Sequence, residues 1–88
     1  MNVTILITPV LREFTNNWQS IEVEGTTVRD CLNHFIAQYP GTEKWIFSNN
    51  NAPMICVFLN KEAVLPENLD RSISAGDVID FSPVVGGG

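Results

Sequence analysis

The stretch TTVRDCLNHFIAQYPG, residues 26–41, decides the architecture because it holds the one long helical pattern of the chain. Its apolar side chains recur at the spacing of a single helix face; they are Val28, Cys31, Leu32, Phe35, Ile36 and Tyr39. Thr27 suits the N-cap, and Asp30 follows at the position of a capping-box acid. Pro40-Gly41 ends the pattern, since proline cannot continue a helix. The sequence predicts a helix over residues 27–39.

The segment before this helix predicts two strands. Residues 2–8 alternate with a period of two and place Val3, Ile5 and Ile7 on one side. A turn at Asn16-Asn17 separates them from residues 19–24, which alternate again. The two strands are therefore expected to pair antiparallel.

The segment after the helix predicts an irregular stretch followed by three more strands. The irregular stretch covers 42–52, and the strands cover 55–59, 63–64 and 78–84. Gly76 supplies a positive φ for the turn before the last strand. One main helix on a mixed sheet of four or five strands is an α+β arrangement, and this order matches the β-grasp, or ubiquitin-like, fold. We assign residues 1–83 to that domain and 84–88 to a flexible diglycine tail.

Composition narrows the classes of partner. A chain of 88 residues has material for one domain, and its net charge of −5 disfavours nucleic acid and favours a neutral or basic protein surface. The start has no basic segment, and the apolar run from Met54 to Leu59 is far shorter than the roughly 18 residues of a membrane span. The sequence predicts a cytoplasmic protein without membrane or nucleic-acid partners.

Conventional catalytic and metal-binding patterns are not found in the sequence. The single histidine, His34, falls on the polar side of the predicted helix, away from any nucleophile. Cys31 and Cys56 lack the paired spacing of a zinc or iron–sulfur site, and both are expected to be buried, reduced thiols. We predict no metal site and no bound cofactor.

An apolar outer sheet face is the first candidate site. Leu6, Cys56 and Phe58 alternate with the presumed core positions, so they should point away from the helix. Such a face suggests a docking surface, with Leu6 and Phe58 as partner-binding residues. The alternative is that loop residues such as Phe14 or Trp45 cover it.

The tail is the second candidate. The chain leaves its last strand through Val84-Val85 and finishes on Gly86-Gly87-Gly88. Three residues without Cβ atoms can pass through a channel of a partner protein that is too narrow for other residues, and they leave the terminal carbonyl unhindered. Glycine alone also fits a frayed terminus or a cloning remnant.

The ending resembles that of the MoaD/ThiS sulfur-carrier family, roughly F-x-P-P-V-(A/S)-G-G. It aligns without a gap from Phe81 and Pro83 to Gly88, with Val84 in place of the second proline and Gly86 as the small residue. Further matching stretches are Met1–Ile5 leading to Leu11-Arg12, Thr27-Val28, Leu59–Glu62 and Ala75–Val78. The resemblance spans nearly the whole chain.

The resemblance implies a carrier cycle centred on Gly88. An adenylating, ubiquitin-activating-like enzyme would use ATP to activate the Gly88 carboxylate, and a sulfur donor would convert it to a thiocarboxylate. Gly87 would accompany it as a catalytic-site residue, while Val84, Val85 and Gly86 would contact the partner. A downstream synthase or other sulfur-accepting enzyme would receive the sulfur, so the chain would be a co-substrate rather than an enzyme.

Two rival functions remain open. A ubiquitin-like modifier would share the adenylation and finish as an isopeptide on a lysine. A plain adaptor domain would leave the glycines inert, and truncation of the tail would then leave its function untouched.

Overall fold

The computed structural model describes residues 2–46 and 55–83, except the side chains of Val10 and Pro83. Its strands are β1 (Asn2–Leu6), β2 (Ser20–Glu24), β3 (Ile55–Leu59), β4 (Glu62–Val64) and β5 (Val78–Pro83). Its helices are α1 (Val28–Gln38) and the short α2 (Glu43–Ile46), and 3-10 turns lie at Pro9–Phe14, Pro40–Thr42 and Pro66–Asn68. No helix in these ranges is long and apolar enough to cross a membrane.

The strands form one mixed sheet in the order β2-β1-β5-β3-β4. β1 pairs antiparallel with β2 and parallel with β5, while β3 pairs antiparallel with both β5 and β4. The predicted β-grasp fold with one main helix is confirmed, and the last strand of the chain occupies the middle of the sheet.

The start of α1 is capped from both directions. The Thr27 hydroxyl accepts a hydrogen bond from the Asp30 N–H at 3.1 Å, as the capping pattern predicts. The Asp30 carboxylate reaches back to Thr26 rather than Thr27, accepting from its hydroxyl at 2.7 Å and from its N–H at 3.2 Å. These bonds lower the pKa of Asp30, the Thr26 hydroxyl contributing most.

The core lies between α1 and the inner face of the sheet. Val28, Cys31, Leu32 and Phe35 of α1 are fully buried, as the helical stripe predicted, whereas Ile36 and Tyr39 are partly exposed. The matching sheet residues are Val3, Ile5, Val23, Ile55, Val57, Leu59, Val64, Ile79 and Phe81. Burial of this kind stabilises the domain by about 25 cal/mol per Å² of apolar surface.

Two sequence predictions need correction. The stretch predicted as irregular contains α2, which buries Ile46 and packs Trp45 against the core. Cys56 is exposed, not buried, because β3 alternates and places it on the outer face. Only Cys31 is a buried thiol, and burial, followed by the charge of Asp30, raises its pKa.

Candidate functional site

The strand that leads into the glycine tail is held on both sides. Ile79 of β5 faces Ile5 of β1 and Leu59 of β3, and the β3 ladder continues to the Ile55 and Pro83 pair. Ile79 is fully buried and Phe81 nearly so, with the Phe81 ring centroid 5.7 Å from that of Phe35. A central, core-anchored strand gives the segment that follows it a fixed point of departure.

The beginning of β5 is fastened to the turn between β3 and β4. Asn60 donates its N–H to the Val78 carbonyl at 2.8 Å, and its side-chain oxygen accepts the Val78 N–H at 2.9 Å. Its side-chain amide donates to the Asp77 carboxylate at 3.1 Å, which also accepts the Ser74 N–H at 2.8 Å. Two family-like stretches that are distant in sequence, Leu59–Glu62 and Ala75–Val78, are therefore one hydrogen-bonded unit.

Hydrogen bonds within this unit shift the pKa of Asp77. The Ser74 N–H, followed by the Asn60 amide, lowers the pKa of Asp77 below its ordinary value. Gly76 adopts φ 87° in the same turn, as predicted, and its N–H donates to the Asn2 carbonyl at 3.1 Å. The turn therefore ties β5 to β1 as well as to β3.

The outer sheet face carries the predicted docking residues. A row of cross-strand neighbours runs Ser20, Leu6, Asp80, Phe58 and Ala63, from β2 to β4. Leu6 is 40% exposed and Phe58 half-buried, so both are accessible on the side away from α1. Adjacent strands lie about 4.8 Å apart, which places Leu6 and Phe58 about 10 Å from each other.

The predicted covering residues do not lie on this face. Phe14 packs against the core and against Gly41 just after α1, where a Cβ would come 2.7 Å from its Cδ1. Trp45 also packs against the core. Among the described residues, neither of the two predicted covering side chains shields Leu6 or Phe58.

The predicted tail residues fall outside the described part of the chain; they are Val84, Val85, Gly86, Gly87 and Gly88. The described chain ends at Pro83, directly opposite Ile55, and the neighbouring pair on the outer face is Ser82 with Cys56. Asp80, at the centre of the row of outer-face residues, is two residues before Ser82 and therefore at the adjacent outer-face position of β5. We call Ser82-Pro83, the end of β5, the root of the tail. The outer face is contiguous with this root.

The comparison with known families settles the resemblance. The sequence profile of the ThiS family matches residues 5–88, nearly the whole chain. The chain belongs to the ThiS family. The resemblance drawn from the sequence is confirmed, and with it the assignment of this ThiS-family chain as a ubiquitin-like sulfur carrier.

Solved structures agree with this membership. CysO in the BexX/CysO complex of Amycolatopsis orientalis is 27% identical with a TM-score of 0.80, the match covering 98% of this chain and 99% of that one. CysO of Mycobacterium tuberculosis is 25% identical with a TM-score of 0.81, covering 94% and 99%. SAMP1 of Haloferax volcanii is 25% identical with a TM-score of 0.80, covering both chains fully. No curated protein sequence matched the chain.

Sequence reasoning did not assign a site role to Asp80. Asp77 and Asp80 are three residues apart in the sequence, yet the two belong to different environments. Asp77 is engaged in the turn before β5, whereas Asp80 is on the outer face between Leu6 and Phe58. The alternation of β5 indicates the face, but only the strand order shows which neighbours Asp80 has.

Proposed function

We propose that this ThiS-family protein carries sulfur as a thiocarboxylate on Gly88. A partner enzyme adenylates the Gly88 carboxylate with ATP, and the activated carbonyl then accepts sulfur. ATP is consumed at the partner's active site, so the carrier itself binds no cofactor. In this cycle the chain is a substrate of its partners, and the catalysis is theirs.

Sulfur loading of Gly88 takes two chemical steps. A carboxylate oxygen of Gly88 attacks the α-phosphorus of ATP, and pyrophosphate leaves with the electron pair of the broken P–O bond. Hydrosulfide then attacks the carbonyl of the acyl adenylate, AMP leaves, and a thiocarboxylate and a proton remain. The thiocarboxylate later transfers its sulfur to an acceptor held by a downstream enzyme.

The position of β5 is the observation that supports this role best. A tail that must enter another protein's active site needs a rigid handle and a slender arm. β5 is fixed by β1, β3 and the Asn60 turn, and the five residues after Pro83 reach about 17 Å when extended. Gly86 and Gly87 add no side chains that would obstruct a narrow channel.

The outer face is proposed to dock the adenylating partner. Leu6 and Phe58 present apolar surface on the same face as the root of the tail, so one partner can contact the face and hold Gly88 at once. The complex of the related CysO with BexX supports an assembly of the carrier with a partner protein. Val84, Val85 and Gly86 are proposed to line the same interface.

Mass spectrometry of the C-terminal peptide tests the proposal. Incubation with the adenylating enzyme of the same organism, ATP and hydrosulfide should replace one oxygen of Gly88 by sulfur, a gain of about 16 Da. Deleting Gly87-Gly88 should abolish the gain without unfolding the domain, because glycine has no side chain to contribute to a core. Adding one alanine after Gly88 should be equally disabling, since the carboxylate moves past the catalytic position.

A matched surface variant, Glu67→Gln, should gain the same mass as the unaltered chain. If the truncated or extended chains still acquire sulfur at their termini and support transfer, Gly88 is not the reactive residue. The inert adaptor role then takes precedence.

A ubiquitin-like modifier is the second candidate, favoured by the similarity to SAMP1, the small archaeal modifier protein 1 of Haloferax volcanii. In that case a lysine ε-amine displaces AMP from the same acyl adenylate and forms an isopeptide. Adducts of high molecular weight that require Gly88 would mark this outcome, and the thiocarboxylate peptide marks the carrier.

A further inference from the structure

Asp80 occupies the centre of the outer face. The register places it directly beside Leu6 on one side and Phe58 on the other, and its side chain is half-buried. A carboxylate flanked by apolar side chains on an accessible sheet face contributes little to the fold. It therefore raises the question of what it contacts in a complex.

Asp80 forms no ion pair with any of the described residues. The two ion pairs among these residues join Arg29 to Asp70 and Arg71 to Glu62, and neither lies on the outer face. None of the five strands contains a lysine or arginine, whereas the outer face also carries the acids Glu22 and Glu24. No ion pair among the described residues neutralises an acid of this face.

Docking on Leu6 and Phe58 would remove water from Asp80 between them. A carboxylate that loses water without gaining a partner opposes association. We propose that the adenylating partner presents an arginine or lysine to Asp80, surrounded by apolar surface for Leu6 and Phe58. This inference rests on the proposed function, and it makes Asp80 the residue that selects among potential partners.

A second copy of this chain is a poor occupant of the face. Two outer faces brought together would oppose carboxylates to carboxylates, with no lysine or arginine from any strand to separate them. Like charges in a closed interface disfavour association. The charge pattern points to a partner with a basic patch.

Calorimetric titration of the carrier into the purified adenylating enzyme, at 0.15 M salt, measures the contact directly. Asp80→Lys should weaken the Kd by about tenfold or more, because close charge pairs across interfaces are strongly coupled. The matched control is Glu67→Lys, which changes the net charge equally but lies beyond β4, two strands from β5. It should weaken binding less than about threefold, since salt screens remote charges over about 8 Å.

Asp80→Leu decides the sign of the effect. Leucine fits the outer-face position between Leu6 and Phe58, so this variant should fold, and a thermal melt checks that it does. If the partner is basic there, leucine weakens binding; if the partner is apolar there, leucine tightens it. Tighter binding by Asp80→Leu, or equal losses for the two lysine variants, would overturn the inference.

The sulfur-transfer assay separates this inference from the proposed function. Asp80→Lys should still reach the full mass gain when the carrier is saturating, because the proposed contact acts on binding and not on the chemistry of the Gly88 carboxylate. Weakened binding without any mass gain in the unaltered chain would sink the sulfur-carrier cycle and leave the basic docking contact standing.

Discussion

The turn between β3 and β4 allows a sharp test, because its two central residues are both left-handed for different reasons. Asn60 has φ 50° and Lys61 has φ 72°. Asparagine tolerates this region, and here its side chain also holds Val78 and Asp77. Lysine has no such compensation. Replacing each by glycine should therefore have opposite effects on stability.

Lys61→Gly relieves a left-handed conformation that costs a side-chain-bearing residue about 1–2 kcal/mol, against about 0.5–1 kcal/mol of added unfolded-state entropy. The net expectation is a gain of about 0.5–1 kcal/mol. Glycine also tolerates the left-handed conformation, but Asn60→Gly removes two side-chain hydrogen bonds worth about 1 kcal/mol each. It should lose about 1–2 kcal/mol.

Urea unfolding followed by circular dichroism gives both free energies, and thermal melts give the matching shifts. For a domain of this size 1 kcal/mol moves Tm by about 4–8 °C, so the two variants should differ by at least that much. If Lys61→Gly destabilises the protein, or if both variants behave alike, the left-handed turn and the Asn60 bonds do not have the energetic roles derived for them.

Two further predictions concern docking and acid. Phe58→Thr should weaken binding to the adenylating partner by about tenfold while barely changing Tm. Threonine is compatible with a strand, and it avoids the repulsion that an aspartate at this position would meet from Asp80. An unfolded variant would show that Phe58 belongs to the core. Asp77 has a lowered pKa in the folded state, so its stabilisation is present above its ordinary pKa of 3.8 and is lost as pH falls through the folded value. The free energy of unfolding should accordingly fall less steeply below pH 3.8 in Asp77→Asn, and identical acid titrations would contradict this.

Local periodicity was enough for the elements and the helix cap. The stripe through Val28, Leu32 and Phe35 is buried, and the positive φ of Gly76 follows from its turn. The short α2 was missed because four residues are too few to show a helical period. The exposure of Cys56 follows from the alternation of β3, and the expectation of a buried thiol was wrong because apolar neighbours in sequence do not make a residue buried.

The sequence predicts only part of the candidate site. The accessible Leu6 and the outer position of Phe58 follow from alternation, and the glycine tail follows from the family resemblance. The position of Asp80 between them depends on β5 lying between β1 and β3, which no local pattern encodes. Nor does a lysine indicate a left-handed turn: Lys61 adopts it because the two-residue loop between the paired Leu59 and Glu62 requires positive φ at both of its positions.

The central place of β5 also orders events during synthesis. Ile5, made near the start of the chain, pairs with Ile79, made near its end, and such distant pairings close slowly. Until β5 has left the ribosome, only the β1–β2 and β3–β4 hairpins are available, and an isolated two-stranded hairpin is marginal in water. The pairing of β5 with β1 and β3 completes the sheet and brings Leu6, Asp80 and Phe58 side by side. A chain truncated before β5 consequently lacks the outer face as well as the centre of the sheet.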